Sequence, residues 1–144
     1  MKPIALHMFL GAAAAIVFMA AAHGQDSDDD ADFDRRAENC IWLRQLDHTE
    51  VIDDRTILFY QTGNRVYRNY LPRECPGVAR EERFMYEARA NQLCSIDTIA
   101  VLEDWGGPGL VRGVTCALGE FQRVSAAEVE EIKQAAERAE DARD

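Results

Sequence analysis

The chain predicts a small, mainly β domain stapled by disulfides, an antiparallel sheet or barrel-like arrangement followed by a C-terminal helix. Three observations carry that expectation. Four cysteines, Cys40, Cys75, Cys94 and Cys116, are separated by 34, 18 and 21 residues with no Cys-x-x-Cys pair. Short β-prone runs broken by glycine-containing turns fill residues 40–124. Ser125, with Glu128 three residues later, opens an Ala/Glu-rich stretch in the manner of a helix capping box.

From the start of the chain, Lys2 precedes an apolar run from about Phe9 to Ala22, and Ala22-His23-Gly24 places small residues where a signal peptidase reads. Residues 1–24 are therefore expected to be a signal peptide, cleaved before Gln25. A membrane anchor is the competing reading, but the run is short and Ala-rich, whereas a spanning helix wants about 20 strongly apolar residues. No cysteine adjoins the cleavage point, so a lipoprotein anchor is not indicated. Residues 25–39 read as an acidic, disordered leader, most acidic through QDSDDDADFD. Asp28, Asp30 and Asp32 alternate like the start of a calcium loop, but Phe33 and Asn39 stand where Gly and Glu are required.

The stapled domain is expected over residues 40–124. Cys40 to Leu43 starts the first strand, and Val51-Ile52 continues it after a polar interruption. Thr56–Thr62 and Arg65–Leu71 flank Gly63-Asn64 as a two-residue hairpin, which sets Tyr60 opposite Tyr67 and puts Leu58 and Leu71 on their face. Ile57, Phe59, Val66 and Tyr70 make the other face, so both sides are partly apolar and a closed or sandwiched sheet is favoured over an open one. Glu74-Cys75-Pro76-Gly77 ends that hairpin. Arg80 to Arg89 has helical composition but strand-like alternation at Phe84, Tyr86 and Ala88, and strand is preferred. Leu93–Leu102 and Gly113–Gly119 form a second hairpin around Trp105-Gly106-Gly107-Pro108-Gly109. Residues 125–144 are a helix and tail whose weak stripe, Val129, Ile132, Ala136 and Ala139, implies a surface helix prone to fray.

Charge narrows the function classes. The chain carries 16 basic and 26 acidic residues, a net of −10, and loss of Lys2 with the signal makes it −11. Nucleic acid and anionic lipid are repelled by such a surface. Stable membrane insertion after signal removal is not expected, because no other long apolar run follows. Arginine outnumbers lysine 14 to 2 and alanine is abundant, a GC-rich bacterial signature, so the periplasm of a Gram-negative organism is the expected location.

In an oxidising compartment the four cysteines make two structural disulfides, which a small core gains from. Of three pairings, Cys40 with Cys116 and Cys75 with Cys94 is preferred, tying the domain's ends and clamping a central excursion. By chain entropy the two would contribute about 4.5 and about 3 kcal/mol.

The segments CIWLRQL, RTILFY, VYRNYLPRECPGV, QLCSIDTIAVL and VTCALGEFQRVS resemble the pattern of a family of small exported four-cysteine proteobacterial proteins known as a domain of unknown function. The match runs from about Cys40 to Ser125. Its most specific elements are Leu71 to Cys75, Leu93-Cys94 with Asp97, and Cys116 to Phe121. The resemblance implies export and the domain limits, and brings no chemistry.

Candidate sites are few. His48 is the single histidine after the signal, which excludes a multi-histidine metal site, and no Gly-x-Ser-x-Gly elbow supports a triad. Gly106, Gly107 and Gly109 lack the lysine and strand-to-helix context of a phosphate loop. No cofactor or metal is expected. Asp97 interrupts an apolar strand, as a general base or, more simply, as a turn or solvent-facing carboxylate. Trp105 at the hairpin tip reads as an exposed anchor or a lid over the sheet. Tyr60 and Tyr67 share its candidacy for binding, while Trp42 reads as core. The preferred function is non-catalytic binding in the periplasm, to a basic protein surface or a cationic ligand. The alternative is a small carboxylate-dependent hydrolase using Asp97.

Overall fold

The computed structural model describes residues 33–143. The expected signal peptide, its expected cleavage point and the Asp28–Asp32 alternation lie outside them. Among the described residues, ten strands form three antiparallel sheets, with one long C-terminal helix.

The largest sheet has five strands in the order β1 (Ala37–Glu38), β10 (Phe121–Val124), β5 (Arg65–Tyr70), β4 (Thr56–Gln61), β3 (Leu46–Val51). Strand β4 is buried on both sides, because alternate residues serve two clusters. Ile57 and Phe59 join Tyr67, Leu71 and Phe121 in the main core, whereas Leu58 faces Val124 and Val129 with Tyr60 and Val66 beside them. The main core is closed by β2 (Cys40–Trp42) paired with β7 (Gln92–Cys94), and by the sheet β6 (Phe84–Tyr86), β8 (Thr98–Glu103), β9 (Val111–Ala117). The second face is covered by helix α2 (Ala126–Asp141), so the sheet is sandwiched as its two apolar faces require.

Helix α2 begins where the capping box predicts: Ser125 Oγ accepts from the Glu128 N–H and Glu128 returns a bond to the Ser125 N–H. The helix lies on the surface, as expected, and its apolar stripe docks it there. Val129 is buried and Ile132 half-buried, because their stripe has the Leu58–Val124 patch to cover.

The preferred disulfide pairing is wrong. The bonds are Cys40–Cys94 and Cys75–Cys116. Cys40 lies directly opposite Cys94 in the β2–β7 ladder, with Ile41 opposite Leu93, so strand pairing brings those sulfurs together. Cys75 follows the β4–β5 hairpin under a short helix, α1 (Val78–Glu81), and meets Cys116, the one buried side chain of β9. Spacing alone cannot report that β2 leaves the first sheet to pair with β7.

The hairpin register also differs by one residue. Gly63 and Asn64 both take positive φ, but the loop is three residues long and Phe59, not Tyr60, faces Tyr67. The Thr62 N–H bonds instead to the Gln45 carbonyl, which draws Thr62 out of the ladder. Since side chains alternate, the slip puts Tyr67 with Phe59 in the main core and Tyr60 with Leu58 under α2.

Other boundaries shift for physical reasons. Ala37 and Glu38 pair with β10, so the domain begins before Cys40. Val51 ends an independent strand, β3, whose register shift between Leu46 and His48 lets Leu46 and Val51 both face the core despite odd spacing. Leu93–Leu102 is two strands separated by a turn, and the 80–89 stretch gives only β6 after one helical turn. Phe121–Val124 forms a strand that its sequence did not advertise. Trp42 is not core: it is 41% exposed, because Ile41 takes the inward position of β2.

Candidate functional site

The β8–β9 hairpin carries most of the unsheltered apolar surface. Ile96, Trp105, Leu110, Val111 and Val114 are all exposed, and all lie on the hairpin or at its foot. Strand β9 pairs only with β8 and buries only Cys116.

Trp105 is 76% exposed, yet it is fixed. Its Nε1–H donates to Glu103 Oε2 at 2.7 Å. Asp104 Oδ1 accepts from the Gly106 N–H at 2.9 Å and shapes the tip, where Gly106 has φ 75°. The Glu103 carboxyl rests over Gly113, where a Cβ would lie 2.7 Å from Cδ of Glu103 and closer still to Oε1. A side chain at 113 would therefore push the carboxylate off the indole. The order of causes runs from the glycine, through the carboxylate, to an indole held with its faces in solvent.

The other exposed aromatics differ in one respect. Arg44 lies over the Trp42 ring at 4.9 Å and Arg55 over the Tyr70 ring at 4.6 Å. Among the described residues no guanidinium or ammonium lies over Trp105.

The remaining sequence candidates are dispersed and have structural partners. Asp97 Oδ2 accepts from the Cys94 N–H at 2.8 Å, and the Asp97 N–H returns to the Cys94 carbonyl at 2.9 Å, so this carboxylate closes the turn between β7 and β8. Tyr67 is buried and donates to Glu38 Oε1 at 2.9 Å; burial, aided by that carboxylate, raises its pKa. Tyr60 stacks on His48 with centroids 4.3 Å apart and donates to Glu50 Oε2 at 2.8 Å. Glu50 also receives Lys133 from α2 at 2.8 Å. This Tyr60–Glu50–Lys133 clasp pins α2 to the sheet. Burial raises the Tyr60 pKa further from neutrality, and the bond to Glu50 raises that of Lys133, so neither is tuned as a base.

A surface groove of about 410 Å³ is lined by Asp53, Asp54, Tyr70, Glu74 and Glu140 among others. Asp53 accepts from the Arg55 N–H within the β3–β4 turn, and Asp54 accepts from the Ala79 N–H of α1. Among the described residues no group of three or more His, Cys, Asp or Glu side chains is placed to hold a metal.

Of the two readings that the sequence offered for Trp105, the structure has the exposed one; Glu103 and Gly113, which meet beside it, were not singled out. The available signal was a glycine inside an otherwise β-prone strand, which marks a close approach. Comparison with family models, curated proteins and solved structures finds no match for this chain.

Proposed function

We propose that this protein is a non-catalytic binding module of the bacterial cell envelope, exported to the periplasm, which grips a basic protein surface through the β8–β9 hairpin. The observation that carries this reading is the fixed, exposed Trp105 among exposed aliphatic side chains. A large aromatic held in place loses little side-chain entropy on binding, which makes it an effective anchor. The acidic balance of 26 to 16 favours a basic partner over an acidic one. Two disulfides fit an oxidising compartment, and no described helix is long and apolar enough to cross a membrane. The resemblance to small exported four-cysteine proteins supports the same placement.

The test is a photo-cross-linking residue at Leu110, which adjoins the tip and is 45% exposed. In intact cells it should capture one discrete basic protein, and the adduct should vanish when Trp105→Ala is added at unchanged expression. A diffuse smear, or an adduct indifferent to Trp105→Ala, would refute the reading.

A further inference from the structure

We infer that the hairpin tip is a seat for one arginine side chain of the partner, made by the indole face of Trp105 and the carboxylate of Glu103. This deepens the binding function proposed above and rests on it.

The seat is already assembled. The indole donates to Glu103 through a bond in the ring plane, so the bond occupies an edge and leaves the ring faces in solvent. Glu103 spends one acceptor position on that bond, and a carboxylate offers about four. A cation over the indole therefore finds a fixed anionic partner at the ring edge. Asp104 adds a second negative charge beside it, with one oxygen committed to Gly106. Charge and aromatic face together select a cation.

Guanidinium fits better than ammonium. It is planar, so it stacks on the indole while its forked N–H groups reach the carboxylate, and it sheds water more readily. This chain uses the same solution on its own surface, where Arg44 covers Trp42 and Arg55 covers Tyr70. Two further guanidinium groups, those of Arg35 and Arg123, lie 5.1 and 5.0 Å from the Phe33 centroid. Trp105 is the most exposed aromatic of those named, and the carboxylate it bonds keeps acceptor positions to spare.

Gly113 is the positioning residue. Any side chain there would displace the Glu103 carboxyl from the indole edge. Binding should then fall without loss of the fold, since Gly113 lies on the exposed strand β9 away from the buried core.

The test uses the full exported protein with Trp42→Phe, which leaves Trp105 as the only tryptophan fluorophore. The probe is a seven-residue peptide of alternating arginine with threonine or valine, set against the same peptide with citrulline, and with lysine, in place of arginine. The arginine peptide should change Trp105 emission saturably, the lysine peptide should bind several-fold more weakly, and citrulline should have no effect. Glu103→Gln keeps an acceptor for the indole but removes the charge, and should weaken arginine binding about tenfold and flatten its salt dependence. Gly113→Ala should do the same, with circular dichroism and both disulfides unchanged. Equal binding of arginine and citrulline peptides, or full affinity in Glu103→Gln, would overturn the seat while leaving a hairpin-mediated interaction in place. Loss of the Leu110 cross-link to any partner would instead remove the binding reading on which the seat rests.

Discussion

Replacing Asn69 with alanine should destabilise the fold by about 4 kcal/mol, although Asn69 lies far from the hairpin tip. Asn69 is fully buried on the core face of β5, opposite Ile57 and Phe121. Its side chain answers both backbone groups of Gly119: Nδ2 donates to the Gly119 carbonyl at 2.7 Å, and Oδ1 accepts from the Gly119 N–H at 2.9 Å. Gly119 is in the short link that returns the chain from β9 to β10, so this one amide binds the small sheet to the large one. The approach is close, since a Cβ at 119 would strike the Tyr70 carbonyl oxygen. Alanine at 69 leaves one donor and one acceptor unpaired, each costing about 1–3 kcal/mol, and their sum gives the stated loss. Urea unfolding followed by fluorescence should show a midpoint lower by about 2 M for a slope of about 2 kcal/mol per M. Asn69→Asp adds a second reading. The carboxylate can still accept from Gly119 N–H but faces the carbonyl with another anion, so folding favours its protonated form and raises its folded pKa above the unfolded value of about 3.9. Stability relative to wild type should therefore be best below the unfolded pKa and decline as pH rises through the folded one. A loss under about 1 kcal/mol for Asn69→Ala, or a flat pH profile for Asn69→Asp, would refute the bridge.

Non-reducing peptide mapping should recover Cys40–Cys94 and Cys75–Cys116, and removal of either bond should cost about 4 kcal/mol by loop closure over 54 and 41 residues. Burial works to raise the Glu50 pKa, but hydrogen bonds from Lys133 and Tyr60 outweigh it and hold the pKa below the usual value. Glu50 thus contributes stability above its unfolded pKa of about 4.3 that is lost as pH falls through the folded value, and Glu50→Gln should flatten that acid limb in hydrogen exchange of α2. Ser125→Ala should cost about 1 kcal/mol and speed exchange in the first turn of α2 before any other element responds.

The sequence announced what local chemistry controls. Ser125 and Glu128 marked the helix start, Gly63-Asn64 marked a turn, and the alternation around Leu58 and Phe59 showed a strand covered on both faces. What local chemistry does not control stayed hidden. The hairpin register turned on a bond from Thr62 to Gln45 in the helical turn before β3, and the disulfides turned on β2 leaving its neighbours for β7. Strand β3 was masked by its own charges, since Asp47, His48 and Glu50 decorate the face and edge that the core does not use. At the tip, Trp105 was legible because an aromatic in a Gly-Pro turn has little to bury against. Glu103 and Gly113 were not, because their link runs across the hairpin rather than along the chain.

Native mass spectrometry of the protein released from the periplasm without reductant is the most direct test of an exported, stapled binding module. The chain should start at Gln25, weigh four hydrogens less than its reduced form, and travel with a basic protein that is absent when Trp105→Ala is expressed instead. Free thiols, retention in the cytoplasm, or a complex that survives Trp105→Ala would contradict it.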